Sequence, residues 1–555
     1  MRKARWLVLA SAAVAAIALT VAVSGCASKG STSQTTDPTE TKTINSTFNA
    51  GLNGEVTSLD PVYLYDWTSC PVMAQYSEAL MQFSGPDDEL AGWLATGYEQ
   101  VDDLTYVYQI HDNVTFWDGT PMTMEDVLFS LKRHMDPDVG SYLAWMFEAV
   151  DTIEQTGDWE LTVKLKEPDA TFKYIFATSA GHVHQKAAIE AAGTDYGTAK
   201  GGVMATGAYK FVEWQTGVQL VFEYNENYWN KAEMGEPDIK KLVYQNIEED
   251  ATRSMAVKSG QIDVDFWVPT DKVEEMQSAD NLNTVIIPGP TADYLVYNTQ
   301  VKPLDDVNFR RALSAAIDIE NLQENVIKQG AAPSTGITVP TTLYKPDKAQ
   351  WEDFASKVTK YTNYDLTAAK SYLAQSAYPD GTSLTLTVDK QAISNSLALY
   401  LQQAFKELNV DLKIEKVSYE ELIGLLLGDK IQKDGTRPYQ ILMGSWAADF
   451  PDPSGVLIPI YASGNRGEGG SNSAEYTNKI VDDALDKQAT LSDDAERAVL
   501  MQKAIEQINE DVPYYVYSHT NYIFAVNKER VASGFEDLGA MWTWKPMMAK
   551  VKLSK

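Results

Sequence analysis

Short runs of β-forming residues alternate along this chain with stretches whose apolar residues recur at helical spacing. The strand-like runs alternate in polarity or are rich in β-branched residues, and the clearest are residues 161–165, 220–224 and 384–388. Leu500, Ala504 and Ile508 instead recur every fourth residue, as on one face of a helix. The pattern therefore predicts a mixed α/β protein, without internal repeats or heptads.

Several polar residues stand where helices are expected to begin. Ser418, with Glu421 three residues later, forms a capping box ahead of an apolar run, and Asp365 precedes another helical pattern. Two further carboxylates, Asp306 and Asp318, flank a segment that contains Arg310 and Arg311. We expect these four side chains to form charge pairs at helix ends.

The first 26 residues have the pattern of a lipoprotein signal. A cationic start leads into the apolar residues 6–23, and the stretch closes on small residues before Cys26. We expect residues 1–25 to be removed and Cys26 to carry acyl chains, which hold the protein on the extracytoplasmic face of the cell membrane. The alternative is a transmembrane anchor, but about 18 apolar residues are barely enough to span a bilayer.

Composition after this segment indicates a tethered domain. Residues 26–42 contain no aromatic residue and no aliphatic residue larger than alanine, as in a flexible tether. Cys70 is the second of two cysteines, so the mature chain has no partner for an internal disulfide other than the acylated Cys26. The formal net charge of −31 disfavours nucleic acid and anionic lipid as partners.

No motif of the common catalytic centres is present. The chain lacks a nucleophile elbow, a phosphate-binding loop and a paired-histidine zinc motif. His182 and His184 could lie on one face of a strand as metal ligands, but no third ligand stands at a useful spacing. We therefore expect no enzyme, no metal site and no cofactor.

Seven local motifs occur in an order that resembles family 5 solute-binding proteins of ABC importers, which include oligopeptide- and dipeptide-binding proteins. The motifs are SLDP (58–61), FWDGTPMTMEDVLFSL (116–131), GAYKFVEW (207–214), NENYW (225–229), SGQID (259–263), DVNFRRALSAAID (306–318) and WAADFPDP (446–453). Each is weak by itself. Together they extend the resemblance over nearly all of residues 43–555.

The resemblance implies a two-lobed periplasmic-binding fold of the large α/β type, with mixed sheets and an interlobe hinge. Lobe I is expected at residues 43–292 and 523–555, with an extra subdomain at about 82–203, and lobe II at 293–522. Residues 294–298 and 517–524 are the expected hinges. Lobe closure would bury a solute and present a shape that the permease recognises.

The resemblance also implies where a ligand binds. In peptide-binding relatives, the aspartate at the position of Asp449 pairs with the peptide ammonium, and backbone groups at the positions of Ser445 and Ala447 bond the peptide as an added strand. Asp449 and Asp452 could instead only organise a proline-rich turn, and we favour that role for Asp452. Four aromatic residues could line the cleft or fill the core: Trp446, Trp67, Tyr65 and Trp267.

The chain is thus expected to be a monomeric, lipid-anchored receptor that captures peptides for ABC permease subunits. An oligosaccharide receptor of the same family is the main alternative, because many aromatic residues also suit sugars. An exported hydrolase would need a nucleophile and a base brought together from distant positions. A signalling or adhesive lipoprotein that has kept the fold is a third alternative.

Overall fold

One large mixed sheet and one small antiparallel sheet form the framework of the protein. The computed structural model describes residues 46–358, 361, 363–433 and 435–554, so the expected signal, tether and Cys26 lie outside the described residues. The strands are β1 (Thr47–Leu52), β2 (Met81–Ser84), β3 (Glu89–Gly92), β4 (Ala95–Asp102), β5 (Thr105–Ile110), β6 (Val150–Gly157), β7 (Glu160–Leu165), β8 (Tyr209–Gln215), β9 (Gln219–Tyr224), β10 (Lys241–Asn246), β11 (Val264–Asp265), β12 (Leu282–Tyr297), β13 (Ala331–Pro333), β14 (Ser383–Val388), β15 (Asp411–Lys416), β16 (Ile441–Ala447), β17 (Tyr514–Asn527), β18 (Val531–Ser533) and β19 (Lys552–Leu553).

The helices pack around these sheets. They are α1 (Cys70–Tyr76), α2 (Met124–Lys132), α3 (Phe172–Ile175), α4 (Lys186–Ala192), α5 (Lys231–Met234), α6 (Asp250–Ser259), α7 (Val273–Gln277), α8 (Val307–Ala315), α9 (Ile319–Leu322), α10 (Lys348–Lys357), α11 (Leu366–Gln375), α12 (Ala392–Lys406), α13 (Tyr419–Leu426), α14 (Ser454–Tyr461), α15 (Lys479–Ala489) and α16 (Asp494–Asp511). Within the described ranges, no helix combines the length and the apolar composition that crossing a membrane requires.

The predicted helix starts are confirmed by their caps. Ser418 accepts a hydrogen bond from the Glu421 backbone N–H at the start of α13. Asp365 accepts two backbone N–H groups at the start of α11. The charge pairs expected around α8 are wrong: Asp306 and Asp318 cap α8 and α9 with their side chains. Arg310 and Arg311 instead donate to the carbonyl oxygens at the end of α16, where the helix leaves acceptors unpaired.

The long strands β12 and β17 pair antiparallel and join two groups of strands. The order across the large sheet is β15-β14-β16-β12-β17-β11-β1-β10-β9-β8, and β13 also pairs with β17. β16 pairs with residues 291–297 of β12, whereas β11 pairs with Val526 and Ala525 near the opposite end of β17. The two groups therefore lie at opposite ends of this ribbon, as a two-lobed fold requires. We call them the N-terminal lobe, with β1 and β8–β11, and the C-terminal lobe, with β14–β16.

The pairing of β12 with β17 is interrupted between the two lobes. The register shifts between Pro288 and Thr291 and again between Asp293 and Tyr294. Such irregularities bend a strand pair locally. The interruption precedes the expected hinge at residues 294–298 and lies opposite the expected hinge at residues 517–524. Both hinges, like the lobe boundaries, stay predictions.

The small sheet, with the order β4-β5-β7-β6, belongs to the segment expected as an extra subdomain. Short helices follow it and lead back to the large sheet at β8. Helix α3, the first helix after the small sheet, contacts the C-terminal lobe. The Lys173 ammonium lies 2.8 Å from the Asp494 carboxylate, and the ring of Tyr174 stacks on that of Phe450. The Ala170 backbone N–H also donates to the Ala489 carbonyl oxygen at 2.9 Å. These contacts connect the segment expected as the extra subdomain to the C-terminal lobe.

Candidate functional site

A carboxylate of the C-terminal lobe meets a phenol of the N-terminal lobe at the end of β16. Asp449 lies two residues beyond the end of β16, and Tyr65 lies between a short 3₁₀ turn at Pro61–Tyr63 and α1. The Tyr65 hydroxyl donates to the Asp449 carboxylate at 2.8 Å. Burial raises the pKa of Asp449 to about 6, while the hydrogen bond from Tyr65 opposes this shift.

Asp449 has no basic partner among the described residues. No lysine, arginine or histidine of these ranges forms an ion pair with its carboxylate, and the tyrosine hydroxyl is neutral. Asp452, three residues later, differs in this respect: Arg497 donates to both of its oxygens, at 2.8 and 3.0 Å. An ionised carboxylate that is partly withdrawn from water is stabilised by a cation. The arrangement around Asp449 therefore suits a positively charged ligand, and Asp452 is already neutralised within the protein.

The backbone of β16 next to Asp449 offers an open edge. The Asn298 N–H donates to the Gln440 carbonyl and the Ala448 N–H to the Pro290 carbonyl, so these opposite pairs are hydrogen bonded across β12 and β16. Hydrogen-bonded and non-bonded pairs alternate in an antiparallel ladder. By this alternation, Ser445 and Ala447 direct their N–H and C=O groups away from β12.

No strand of the described ranges covers that edge near Asp449. β14 pairs with β16 only at Ile441 and Leu442, so the outer edge from Met443 to Ala447 is not paired with a strand. Unpaired edges accept additional strands. An extended peptide is one ligand that fits such an edge.

The four aromatic candidates occupy different surroundings. Tyr65 and Trp67 are 40% and 41% exposed, and the Trp67 ring lies 5.7 Å from that of Tyr522. Trp446 is half-buried, and its Nε1 donates to the Gly455 carbonyl at 3.0 Å. Trp267 packs against Trp542 at 6.0 Å between ring centres. Tyr65 and Trp67 thus present free ring surface, whereas Trp446 and Trp267 chiefly contact the protein.

The fold brings several residues to the surroundings of Asp449 and β16 that the sequence did not predict. Tyr522 on β17 and Trp145 in the 3₁₀ turn Ala144–Phe147 contact Trp67 and Tyr65 respectively. Asp293, opposite Ser445 in the register, accepts hydrogen bonds from Ser518 and Thr520, and burial raises its pKa to about 6. No local motif marks these residues, because each reaches the site through strand pairing or a distant turn.

The histidines considered as metal ligands are occupied by hydrogen bonds. Buried His182 and His184 share the Ser77 hydroxyl, at 2.9 and 2.8 Å, and His184 also contacts the Tyr196 hydroxyl. Desolvation lowers the pKa of His182 to about 3. Within the described residues, no three histidine, cysteine, aspartate or glutamate side chains are grouped so that they could hold a metal ion.

Comparison with known proteins identifies the family. The model for "Bacterial extracellular solute-binding proteins, family 5 Middle" matches residues 89–468. The chain belongs to this family. It is a solute-binding protein and not an enzyme.

Individual relatives are distant but cover nearly the whole chain. The glutathione-binding protein GsiB of Pectobacterium atrosepticum is 25% identical over 481 residues, which are 86% of this chain and 89% of the relative. The probable D,D-dipeptide-binding periplasmic protein DdpA of Escherichia coli is 26% identical over 480 residues, 85% of this chain and 88% of the relative. The structure of DppA from Helicobacter pylori in complex with the peptide STSA superposes with a TM-score of 0.74 at 23% identity, covering 92% of this chain and 98% of that chain. The two-lobed fold predicted from the sequence is thereby confirmed.

Proposed function

We propose that this protein is a receptor for peptides with a free N-terminus, which it delivers to an ABC permease. The observation that carries the proposal is the Asp449 carboxylate, which has no cationic partner among the described residues and lies at the end of an open strand edge. A peptide ammonium supplies the missing charge, and the peptide main chain supplies the missing strand. The names of the relatives GsiB and DdpA and the peptide bound to DppA support the same ligand class.

The unpaired charge of Asp449 and the open edge of β16 together favour a peptide over an oligosaccharide as the ligand. An oligosaccharide would use the exposed rings of Tyr65 and Trp67, but it offers neither a cation for Asp449 nor a main chain for β16. The direction of the bound peptide follows from the same two features. Since the ammonium lies beyond the last residue of β16, the peptide runs antiparallel to β16, from Ala447 towards Met443.

Titration calorimetry tests the ligand class. Tripeptides with a free N-terminus should release heat and saturate at one site per protein, whereas neutral oligosaccharides of similar mass should not. Saturable binding of an oligosaccharide together with no binding of any tripeptide would refute the proposal.

We also propose that Cys26 carries the lipid anchor, on the basis of the sequence pattern that ends at this residue. Cys26→Ala should abolish incorporation of labelled fatty acid and leave the protein without acyl chains. A variant that still incorporates the label would refute the assignment. Membrane fractionation provides the second readout, with Cys70→Ala as the matched control because Cys70 is buried within α1.

A further inference from the structure

Partly exposed aromatic side chains form two ring pairs on the N-terminal lobe, and one of the pairs lies beside Asp449. Tyr65, Trp145 and Tyr142 are 40%, 45% and 62% exposed. The rings of Tyr65 and Trp145 meet edge to face with centres 6.3 Å apart, and Tyr142 packs in the same way on Tyr63 at 5.7 Å. We call these four residues the aromatic ledge. Large exposed apolar surfaces of this kind mark interaction sites more often than isolated exposed residues do.

An ion pair and a backbone hydrogen bond fix the backbone segments that carry the rings of the ledge. Arg133 forms a bidentate ion pair with buried Asp60, directly before the turn that carries Tyr63. The Tyr142 N–H donates to the Val62 carbonyl at 3.0 Å, which ties the two ring-bearing segments together. Rings presented by a fixed backbone lose little conformational entropy when a ligand packs against them.

Tyr65 connects the ledge to the anchoring carboxylate. Its hydroxyl is bonded to Asp449, and the edge of its ring contacts Trp145. An ammonium bound to Asp449 would lie about 2.8 Å from the carboxylate oxygen. Its α-carbon is one bond further away, so the first side chain of the ligand begins beside the Tyr65 ring. A large ring on that side chain can reach Trp145 within the distance at which aromatic rings interact, about 4.5–7 Å between centres.

We propose that the aromatic ledge is a specificity subsite that receives an aromatic side chain on the first residue of the peptide. The inference rests on the proposed function, because the ammonium at Asp449 determines where the first side chain begins. The ledge adds a preference that neither Asp449 nor the strand edge can create, since both contact groups that every peptide shares. Trp145 is the residue that we expect to discriminate, because Tyr65 also serves the carboxylate.

Calorimetry with two tripeptides that differ only in the first side chain tests the subsite. Wild-type protein should bind Phe-Ala-Ala at least about tenfold more tightly than Ala-Ala-Ala, and Trp145→Ala should reduce this ratio to about threefold or less. Trp145→Phe should restore most of the ratio. The affinity of Trp145→Ala for Ala-Ala-Ala should fall by a smaller factor than its affinity for Phe-Ala-Ala, because an alanine side chain offers no ring to Trp145. Tyr364→Ala, which removes a 50% exposed ring that belongs to the C-terminal lobe, is the control and should leave the ratio unchanged.

A second measurement uses the wild-type protein, so that it does not depend on the folding of a variant. A tripeptide with a photoreactive benzoyl-phenylalanine at position 1 should crosslink to the segment around Trp145 or Tyr65, and crosslinking should be blocked by excess Phe-Ala-Ala. The subsite would be overturned by an unchanged affinity ratio of Phe-Ala-Ala to Ala-Ala-Ala in folded Trp145→Ala, or by crosslinks confined to other segments. If the wild-type protein still binds Ala-Ala-Ala tightly in that case, the proposed function stands. If neither tripeptide binds, the subsite and the proposed function both fail.

Discussion

At the scale of single residues, Asp449 and Asp452 show how two carboxylates of one turn take different roles. Asp452 is 2% exposed and neutralised by buried Arg497, whereas Asp449 accepts a hydrogen bond from the neutral Tyr65 hydroxyl. The sequence presents them as equivalent members of one proline-rich turn. Arg497 is 45 positions from Asp452 and Tyr65 is 384 positions from Asp449, so no local sequence pattern could separate the roles of the two aspartates.

The pKa of Asp449 predicts how peptide binding depends on pH. A cation is held only by the ionised carboxylate, and burial raises the pKa of this group to about 6. The affinity should therefore be greatest near pH 7 and fall by up to about tenfold for each pH unit below 6. It should fall again above about pH 8, where the peptide ammonium loses its proton.

Calorimetry between pH 4.5 and 9 measures this profile, and Asp449→Asn separates its causes. Asp293 also has a pKa of about 6 and lies near the same strand edge. If the loss of affinity below pH 6 persists in Asp449→Asn, Asp293 causes it and the assignment to Asp449 is wrong.

Asp452 should matter for stability. Asp452→Ala leaves the Arg497 guanidinium buried without its bidentate partner, although Asp494 still contacts it at 2.9 Å. Loss of one member of a buried pair costs about 3–5 kcal/mol in the free energy of unfolding. Urea unfolding of the variant measures this loss. A free energy within about 1 kcal/mol of wild type would show that the pair contributes little.

At the scale of elements, the open edge of β16 predicts an alternating pattern of main-chain contacts. Ser445 and Ala447 direct their hydrogen-bonding groups outwards, so every second ligand residue should exchange hydrogen bonds with β16. N-methylation of a pentapeptide at successive positions should weaken binding strongly at alternate positions and weakly between them. Competition binding of the methylated series measures the pattern. Equal losses at all positions would argue against strand addition.

The contact of α3 with the C-terminal lobe should assist closure for every ligand. Lys173→Met removes the ion pair with Asp494, a pair that is partly exposed and worth about 0–1 kcal/mol. Affinities for different peptides should fall by one common factor, up to about fivefold, and the effect should shrink at high salt. Lys479→Met, which breaks the exposed pair with Asp483 on α15, is the matched control. Selective loss for one peptide would show that Lys173 contacts the ligand.

The elements themselves were the part of the fold that local sequence could predict. The strand at 384–388, the capped start of α13 and the helix that carries Leu500 and Ile508 all appear where expected, because alternation and caps act within a few residues. The two-lobed arrangement follows only from the resemblance, and the order of the strands lies beyond what local sequence predicts. The break in β12 at residues 288–291 was missed, since the register between β12 and β17 depends on residues more than 200 positions apart.

At the scale of the whole molecule, two lobes joined by β12 and β17 meet at Tyr65 and Asp449 and again at α3. A ligand that bridges the lobes at Asp449 should favour an arrangement in which these contacts are formed. The site is therefore a property of the assembled lobes: Tyr65 and Trp145 come from one, and Asp449 and the edge of β16 from the other.

The most direct test of this account is the affinity of Asp449→Asn for one tripeptide with a free N-terminus and for the same tripeptide acetylated. Asparagine keeps an acceptor for the Tyr65 hydroxyl and removes only the charge. Wild type should prefer the free peptide by about two to four orders of magnitude, because acetylation removes the cation and leaves the carboxylate unpaired. Asp449→Asn should bind both peptides equally and weakly, with an unchanged melting transition. If the folded variant binds the free peptide within about threefold of wild type, Asp449 does not hold the ammonium and the central claim is wrong.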